Sequence, residues 1–474
     1  MGKALVIQLA RMGDIAQSLH LGRDLKVAEG HSVFMLVDQR LGDLVWKLAP
    51  WLDGVFTLDV EGYLRGFRNN ANWVSLWEAL DGETGPIARE RFDRVVNLNY
   101  GRLAGTVASV ISGDVQVEGF HSSARGSCGD AWTDFFSGIL QANRRWNRFH
   151  LVDVFRSYAS TRGLEPERSG PEATGWRGPG VLGIQLGTRC AKRTWPAEAF
   201  VEVVLGFKAW QGADILLLGE EGERKTAQYV LDRAGGPHVH DLVGRTSLSD
   251  LVDVLSGVDV LLSGDTGTLH LASWLGVRSV GIFFGPAYAF ETGPYGAGHT
   301  VIQVEKGCSP CKETERCTER VCGETLTAEA VLCVFRGEAF RLRPPLYAYR
   351  SEFRAGWLQY LPVENRVASW EEILAFLYWG SAGQFLDALP GRFPSMELAI
   401  RCLRSSYRVG DLGEMQEKGF WDDKVPGGLA EPERRRLQSI LQDGWNRLKE
   451  QIHGDSFEEF TRIERESAGA GCPS

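Results

Sequence analysis

The stretch Leu251–Gly296, LVDVLSGVDVLLSGDTGTLHLASWLGVRSVGIFFGPAYAFETGPYG, decides the fold. It reads as a helix, a buried strand (Val258 to Leu262), a glycine-containing turn, a helix opening near Thr268 and a second buried strand (Ser279 to Phe284). In the turn, Ser263-Gly264-Asp265-Thr266-Gly267-Thr268, a parallel strand hands the chain to a helix. Free backbone N–H groups and the positive helix end then point above the sheet, where an anion such as phosphate fits. Gly264 and Gly267 permit close backbone approach, Thr266 and Thr268 add hydroxyls, and Asp265 and His270 add a carboxylate and an imidazole. An ordinary capped strand-to-helix turn uses the same residues.

Upstream, Ala4–Leu9, Ser32–Val37 and Arg94–Leu98 read as strands alternating with helices, and the pattern restarts at Val181–Gln185 and Asp214–Leu218. Such alternation means parallel sheets covered on both faces. Gly163–Gly180, rich in Gly and Pro, is the candidate linker. The expected organisation is α/β: a Rossmann-like domain over 1–170, a second Rossmann-like domain over 180–338, and a mostly helical extension over 339–474. After Arg341 no strand–helix alternation is read, only amphipathic helical stretches at Trp370–Trp379 and Pro432–His453.

The chain has 474 residues, too many for one ordinary core, and its 43% hydrophobic and 24% charged residues place it with globular proteins. A net charge of −9 argues against a dedicated nucleic-acid surface. No apolar run approaches the roughly 20 residues of a membrane span. A cytoplasmic protein is expected, with peripheral contact at the cytoplasmic face of the inner membrane left open. Nine cysteines, four of them clustered, suit reduced thiols or metal ligation better than a disulfide framework.

Asp14 follows Gly13 in the first strand-to-helix turn, placed either to take a proton from a hydroxyl or to cap the helix. In the second domain, Thr188, Lys192 and Arg193 follow the first strand and supply countercharge for a diphosphate. Glu223, or Glu220, stands past the next strand, where an acidic residue holds ribose hydroxyls.

Together these segments resemble glycosyltransferase family 9, the heptosyltransferases of the lipopolysaccharide inner core. The motifs are Met12-Gly13-Asp14, Arg193-Thr194-Trp195-Pro196, Gly219 to Glu223, Leu242 to Leu248, Asp265 to Ala272, Phe284-Gly285-Pro286 and Thr292 to Gly296. The resemblance covers roughly residues 1–335. It implies a GT-B fold of two facing Rossmann-like domains and metal-free, inverting transfer from ADP-heptose to the lipopolysaccharide core or a related glycolipid. It makes Asp14 the general base. Donor contacts fall to Thr188, Lys192, Arg193, Glu223, Asp265, Thr266, Gly267, Thr268 and His270. This chain has Arg193 where the family often has Lys, so which of Lys192 and Arg193 meets the phosphate stays open. Arg65, Arg68 and Arg102 are candidates for an acidic acceptor.

No cofactor is expected for catalysis. Cys308, Cys311, Cys317 and Cys322 have spacing that suits a structural Zn or Fe site, or are free thiols. Two other functions stay open: heptosylation of a protein, as by autotransporter-modifying relatives, and a nucleotide-sugar-binding scaffold without turnover.

Overall fold

The computed structural model describes residues 2–69, 72–123, 126–128, 130, 133, 144–159, 180–188, 190–211, 213–312, 317, 321–364, 366–386, 393–409 and 431–468. The candidate linker, apart from Gly180, lies outside the described residues.

Strands β1 (Lys3–Gln8), β2 (Ser32–Asp38), β3 (Gly54–Leu58), β4 (Arg94–Asn97) and β5 (Val117–Gly119) form a parallel sheet in the order β3-β2-β1-β4-β5. Its middle strand is hidden on both faces: Ala4, Leu5, Val6 and Ile7 are fully buried, as an unbroken apolar run requires. Leu5, Ile7, Leu36, Val95, Val107 and Ile111 share one core. A short hairpin, β6 (His121–Ser123) with β7 (Gly126–Cys128), follows.

The second sheet contains β8 (Val181–Gln185), β9 (Asp214–Leu218), β10 (Val239–Asp241), β11 (Val260–Gly264), β12 (Arg278–Phe283), β13 (Thr300–Val304), β14 (Leu346–Arg354) and β15 (Trp357–Pro362). Its order is β10-β9-β8-β11-β12-β13-β14-β15. The first six strands are parallel, and β14 and β15 are antiparallel additions at one edge. In both sheets the chain order reverses beside the first strand of the domain, the switch point where open α/β sheets bind ligands beyond their carboxyl ends.

The β14–β15 hairpin adds two strands to the segment after Arg341, where the sequence reading found only helical stretches. Its turn is Ala355-Gly356, with φ of 50° and 78°. Two left-handed residues suit a tight hairpin, but Ala before Gly lacks the usual Asn or Asp signal. Charged Arg350, Glu352 and Arg354 further dilute the apolar alternation. The hairpin is nonetheless well anchored: Tyr360 Oη donates to Pro294 O at 2.7 Å, and Tyr349 Oη to Glu305 Oε1 at 2.6 Å.

Two compact units emerge: Met1–Thr133 with Phe149–Glu364, and Asp134–Arg148 with Asn365–Ser474. Both sheets belong to the first. The second is helical, built on Trp370–Phe385, Met396–Ser406 and Glu431–Ala468. Ser369 and Glu372 cap its first helix reciprocally, and Ile373 through Trp379 are all buried. Gly380 lets that helix lie against Ala399, where a Cβ would come within 2.7 Å. Trp146 stacks on Tyr378 at 5.4 Å, and Arg366 pairs with Glu372 at 2.6 Å. Among the described residues no helix is long and apolar enough to cross a membrane.

Candidate active site

Two helix N-termini meet at the carboxyl ends of the two sheets. The first belongs to the helix Met12–Val27, which follows β1. Asn99, just after β4, pins the turn: its Oδ1 accepts from Leu9 N–H and its Nδ2 donates to Ile7 O, both at 2.8 Å. Asp14 is the third helical residue, and its Oδ2 accepts from Arg11 N–H at 3.1 Å. It is therefore not the N-cap of the capping alternative, a position Arg11 holds, but from the third position it satisfies the Arg11 N–H while standing at the sheet mouth.

The second is the helix Gly267–Trp274, which follows β11. Thr266 is its N-cap, accepting from Leu269 N–H at 3.3 Å, with its hydroxyl 2.8 Å from Ser263 Oγ. Thr268 donates to Gln185 Oε1 at 2.9 Å, tying this helix to β8. The two helices touch where neither carries a side chain: a Cβ on Gly13 would lie 3.1 Å from Gly267 Cα and 2.8 Å from the His270 ring.

Around this contact the charged groups are paired. Arg193 Nη1 bonds Asp265 Oδ2 at 2.5 Å, and His270 Nε2 lies 3.7 Å from Asp265 Oδ1. Burial alone would push the Asp265 carboxyl up, but His270 and Arg193 outweigh it and hold the pKa below the usual carboxylate value. Asp14 goes the other way. Its burial, with a smaller contribution from Asp265, raises the carboxyl pKa against the opposing pulls of the Arg11 N–H, His270 and the Arg11 charge. Two carboxyls that feel each other's charge are thus driven in opposite directions, one by burial and one by its partners.

The other second-domain candidates ring the turn. Thr188 lies against Gly264, where a Cβ would be 3.5 Å from its methyl, and its hydroxyl donates to Cys190 O at 2.8 Å. Lys192 Nζ donates to Lys312 O at 3.1 Å. Glu223 packs over Gly187 and accepts from Glu220 N–H at 2.8 Å; burial raises its carboxyl pKa.

The first-domain arginines are placed differently. Arg65 and Arg68 are exposed near the end of the helix Val60–Arg68, with Arg65 Nε 3.9 Å from Glu61. Arg102, also exposed, opens the helix Arg102–Ser112 after β4.

The four-thiol metal site permitted by spacing is not assembled: among the described residues no three Cys, His, Asp or Glu side chains are arranged to hold an ion. Cys308 and Cys317 are exposed while Cys311 and Cys322 are half-buried, all four as free thiols. Cys311 is pinned through its N–H to Gly285 O at 3.1 Å, and burial raises its thiol pKa.

Sequence reading passed over a buried polar network joining the two domains. Arg156 bonds Asp24 and also donates to Tyr295 Oη at 2.9 Å, which donates to Asp153 Oδ1 at 2.8 Å. His150 Nε2 contacts Gly293 O at 2.8 Å. Tyr295 sits in the Thr292–Gly296 motif, so part of that motif is an interdomain fastening. The available signal was charged residues on helices that are otherwise apolar.

With this geometry in place, comparisons with known proteins show what the chain is similar to. Residues 160–321 match the model of glycosyltransferase family 9 (heptosyltransferase). The chain carries a glycosyltransferase family 9 domain. The chain is 29% identical over 142 residues to lipooligosaccharide heptosyltransferase 2 of Campylobacter jejuni, covering 29% of this chain and 43% of that protein. It is 29% identical over 168 residues to lipopolysaccharide heptosyltransferase 1 of Pseudomonas aeruginosa, covering 34% and 46%. The chain thus spans less than half the length of the curated relatives it matches. Solved structures extend the likeness of the fold. A family 9 glycosyltransferase from Veillonella parvula aligns with a TM-score of 0.54 at 19% identity, covering 71% of this chain and 97% of that one. The E. coli heptosyltransferase WaaC with ADP aligns at 0.50 and 17%, covering 71% and 99%. The expected GT-B arrangement of two Rossmann-like domains is the one found.

Proposed function

We propose that the protein is an inverting glycosyltransferase that moves heptose from ADP-heptose to the lipopolysaccharide inner core or a related glycolipid. The observation that carries this reading is Asp14, its pKa raised, at a helix start that abuts the helix start bearing Asp265, Thr266 and His270. The relatives' names supply the heptose, and the E. coli protein of like fold was solved with ADP.

Asp14 takes the proton of the acceptor hydroxyl as its oxygen attacks the anomeric carbon. The bond from that carbon to the diphosphate oxygen breaks with inversion, and ADP leaves with the electron pair. Charge on the departing diphosphate is met by the N–H groups of Gly267 and Thr268, the Thr266 and Thr188 hydroxyls, and Lys192. Glu223 holds the ribose. Arg193 keeps Asp265 charged, and Asp265 and His270 face the sugar or phosphates. Arg65, Arg68 and Arg102 meet acidic groups of the acceptor. The chemistry needs no metal, because the helix starts and basic side chains supply the positive field.

The test is thermal stabilisation by ADP, UDP and GDP, followed by turnover of ADP-heptose with purified lipid core or a protein acceptor. Selective stabilisation by ADP and sugar transfer to the lipid core support the reading. Selectivity for UDP or GDP sinks the donor assignment; transfer to the protein alone sinks the acceptor; indifference to all three nucleotides leaves no transferase.

A further inference from the structure

We propose that Gln17 is a positioning residue that fixes the tautomer of His270 from the opposite domain, so that the Nε2 proton of the imidazole is aimed at Asp265. The inference rests on the transferase reading only for its consequence in catalysis; the tautomer itself is a property of the folded chain.

Gln17 stands one helical turn after Gly13, on the face of the Met12–Val27 helix that crosses the helix Gly267–Trp274. It is only 3% exposed, and its Nε2 lies 3.2 Å from His270 Nδ1. A buried glutamine with this partner has a definite job to do, because burying an amide without hydrogen bonds is costly. His270 is itself buried and packed against Gly13. Its Nε2 faces Asp265 Oδ1 at 3.7 Å, a separation that a small closure or one bridging water turns into a hydrogen bond.

The proton inventory then has one consistent solution for a neutral ring. A carboxylate is an acceptor only, so the imidazole nitrogen facing Asp265 carries hydrogen and Nδ1 is the acceptor. Nδ1 requires a donor, and Gln17 Nε2 provides it. Asp265 receives Arg193 on one oxygen and the Nε2–H on the other. With the tautomer reversed, an imidazole lone pair would face the carboxylate. The charged and titratable groups facing His270 are Asp14 from the first helix, Asp265 from the turn with Arg193 behind it, and His150 before the Leu151–Arg156 helix. Gln17 is the uncharged member of this ring of partners and orients the imidazole without adding a charge beside Asp14.

Histidine-selective 15N NMR on the full chain reads the tautomer directly, with His270→Gln identifying the resonance. Gln17→Met keeps nearly the volume and removes the donor; Gln17→Glu replaces the donor with an acceptor. The wild type is expected as the Nε2–H form. Gln17→Met is expected to mix the tautomers and lower kcat by about tenfold to a hundredfold while donor KM moves less than about threefold. Gln17→Glu is expected to place a carboxylate acceptor against Nδ1 and so to move the His270 signal away from the Nε2–H form. An unchanged His270 signal in folded Gln17→Met overturns the proposal, even if kcat falls. Should Gln17→Met fail to fold, Gln17→Glu decides: a His270 signal that stays in the Nε2–H form overturns it. Wild-type protein without turnover would sink the transferase reading and leave the tautomer result standing.

Discussion

Arg156 grips Asp24 through both carboxylate oxygens, Nε to Oδ2 at 2.6 Å and Nη2 to Oδ1 at 3.1 Å, with both side chains almost wholly buried. The pair joins the Asp14-bearing helix to the helix Leu151–Arg156, and Arg156 reaches on to Tyr295 of the second domain. A bidentate pair in this position fixes orientation as well as charge. Asp24→Asn leaves a buried guanidinium without its counter-ion and is expected to cost about 3–5 kcal/mol. Replacing both partners by apolar residues is expected to cost much less. Urea unfolding of the single and double variants checks this; a double variant that loses the sum of the two single losses would mean the charges are not coupled.

Buried histidines set the acid stability. Burial drives the pKa of His150 down to about 3, that of His299 down to about 4, and that of His20 well below its ordinary value. From about pH 6.5 down towards those folded values, the unfolded chain binds protons that these sites refuse. Stability therefore rises with pH across that window and is lost on acidification, with a slope of about 1.4 kcal/mol per pH unit for each proton. The urea midpoint is expected to fall between pH 7 and pH 5. His150→Gln should flatten the dependence by about one proton; an unchanged slope would show that His150 does not contribute.

Asp14→Asn is expected to reduce turnover by about a hundredfold to ten-thousandfold. It should not reduce stability. A carboxyl whose folded pKa is raised stabilises fully below the unfolded pKa, and that contribution disappears as pH rises through the folded one. At pH 7.5 the neutral amide is thus at least as stable as the charged carboxylate, while still able to accept from Arg11 N–H. Melting curves at two pH values, with turnover alongside, test both halves. The acid limb of the wild-type kcat profile should lie above 3.8, the ordinary Asp value.

The choice between Lys192 and Arg193 is settled by separate outcomes. Arg193 is committed to Asp265, whereas Lys192 is held by a backbone carbonyl. Lys192→Met is expected to weaken ADP binding by about tenfold to a hundredfold, as for one charged hydrogen bond, with little change in melting temperature. Arg193→Met should instead lower stability. The depressed pKa of Asp265 contributes stability above the unfolded value and loses it as pH falls through the folded one, and this variant removes part of that contribution. Calorimetric titration with ADP and thermal unfolding separate the two; a reversal would make Arg193 the phosphate ligand.

Gly13→Ala tests the helix contact. Its new methyl would meet the Gly267 backbone as well as the His270 ring, and backbone cannot turn aside. A loss of about 1–3 kcal/mol is expected. Gly267→Ala meets first the flexible end of Met12, at 2.7 Å, and should cost less. Chemical denaturation of both ranks them, and the opposite order would place the contact elsewhere.

Much of the site was legible because strand-to-helix turns carry short-range signals. Apolar runs ending in Gly13-Asp14 and in Gly264 through Gly267 announce where a parallel sheet presents a helix start. The helical tail from Trp370 was legible from periodicity. The β14–β15 hairpin was not, since its turn is Ala355-Gly356 and its outward residues are charged, and antiparallel pairing at a sheet edge is decided by its partner β13.

The sequence by itself determined two doubly wound sheets and the identity of the candidate residues, since each depends on local pattern and spacing. Only the tertiary structure decided how those residues are engaged. Arg193 goes to Asp265 and not into open solvent, Gln17 meets His270 across 253 residues of chain, and Tyr295 joins the Arg156–Asp24 pair. Burial and partner charge, which set these pairings and the opposite pKa shifts of Asp14 and Asp265, arise only when distant segments share one low-dielectric interior.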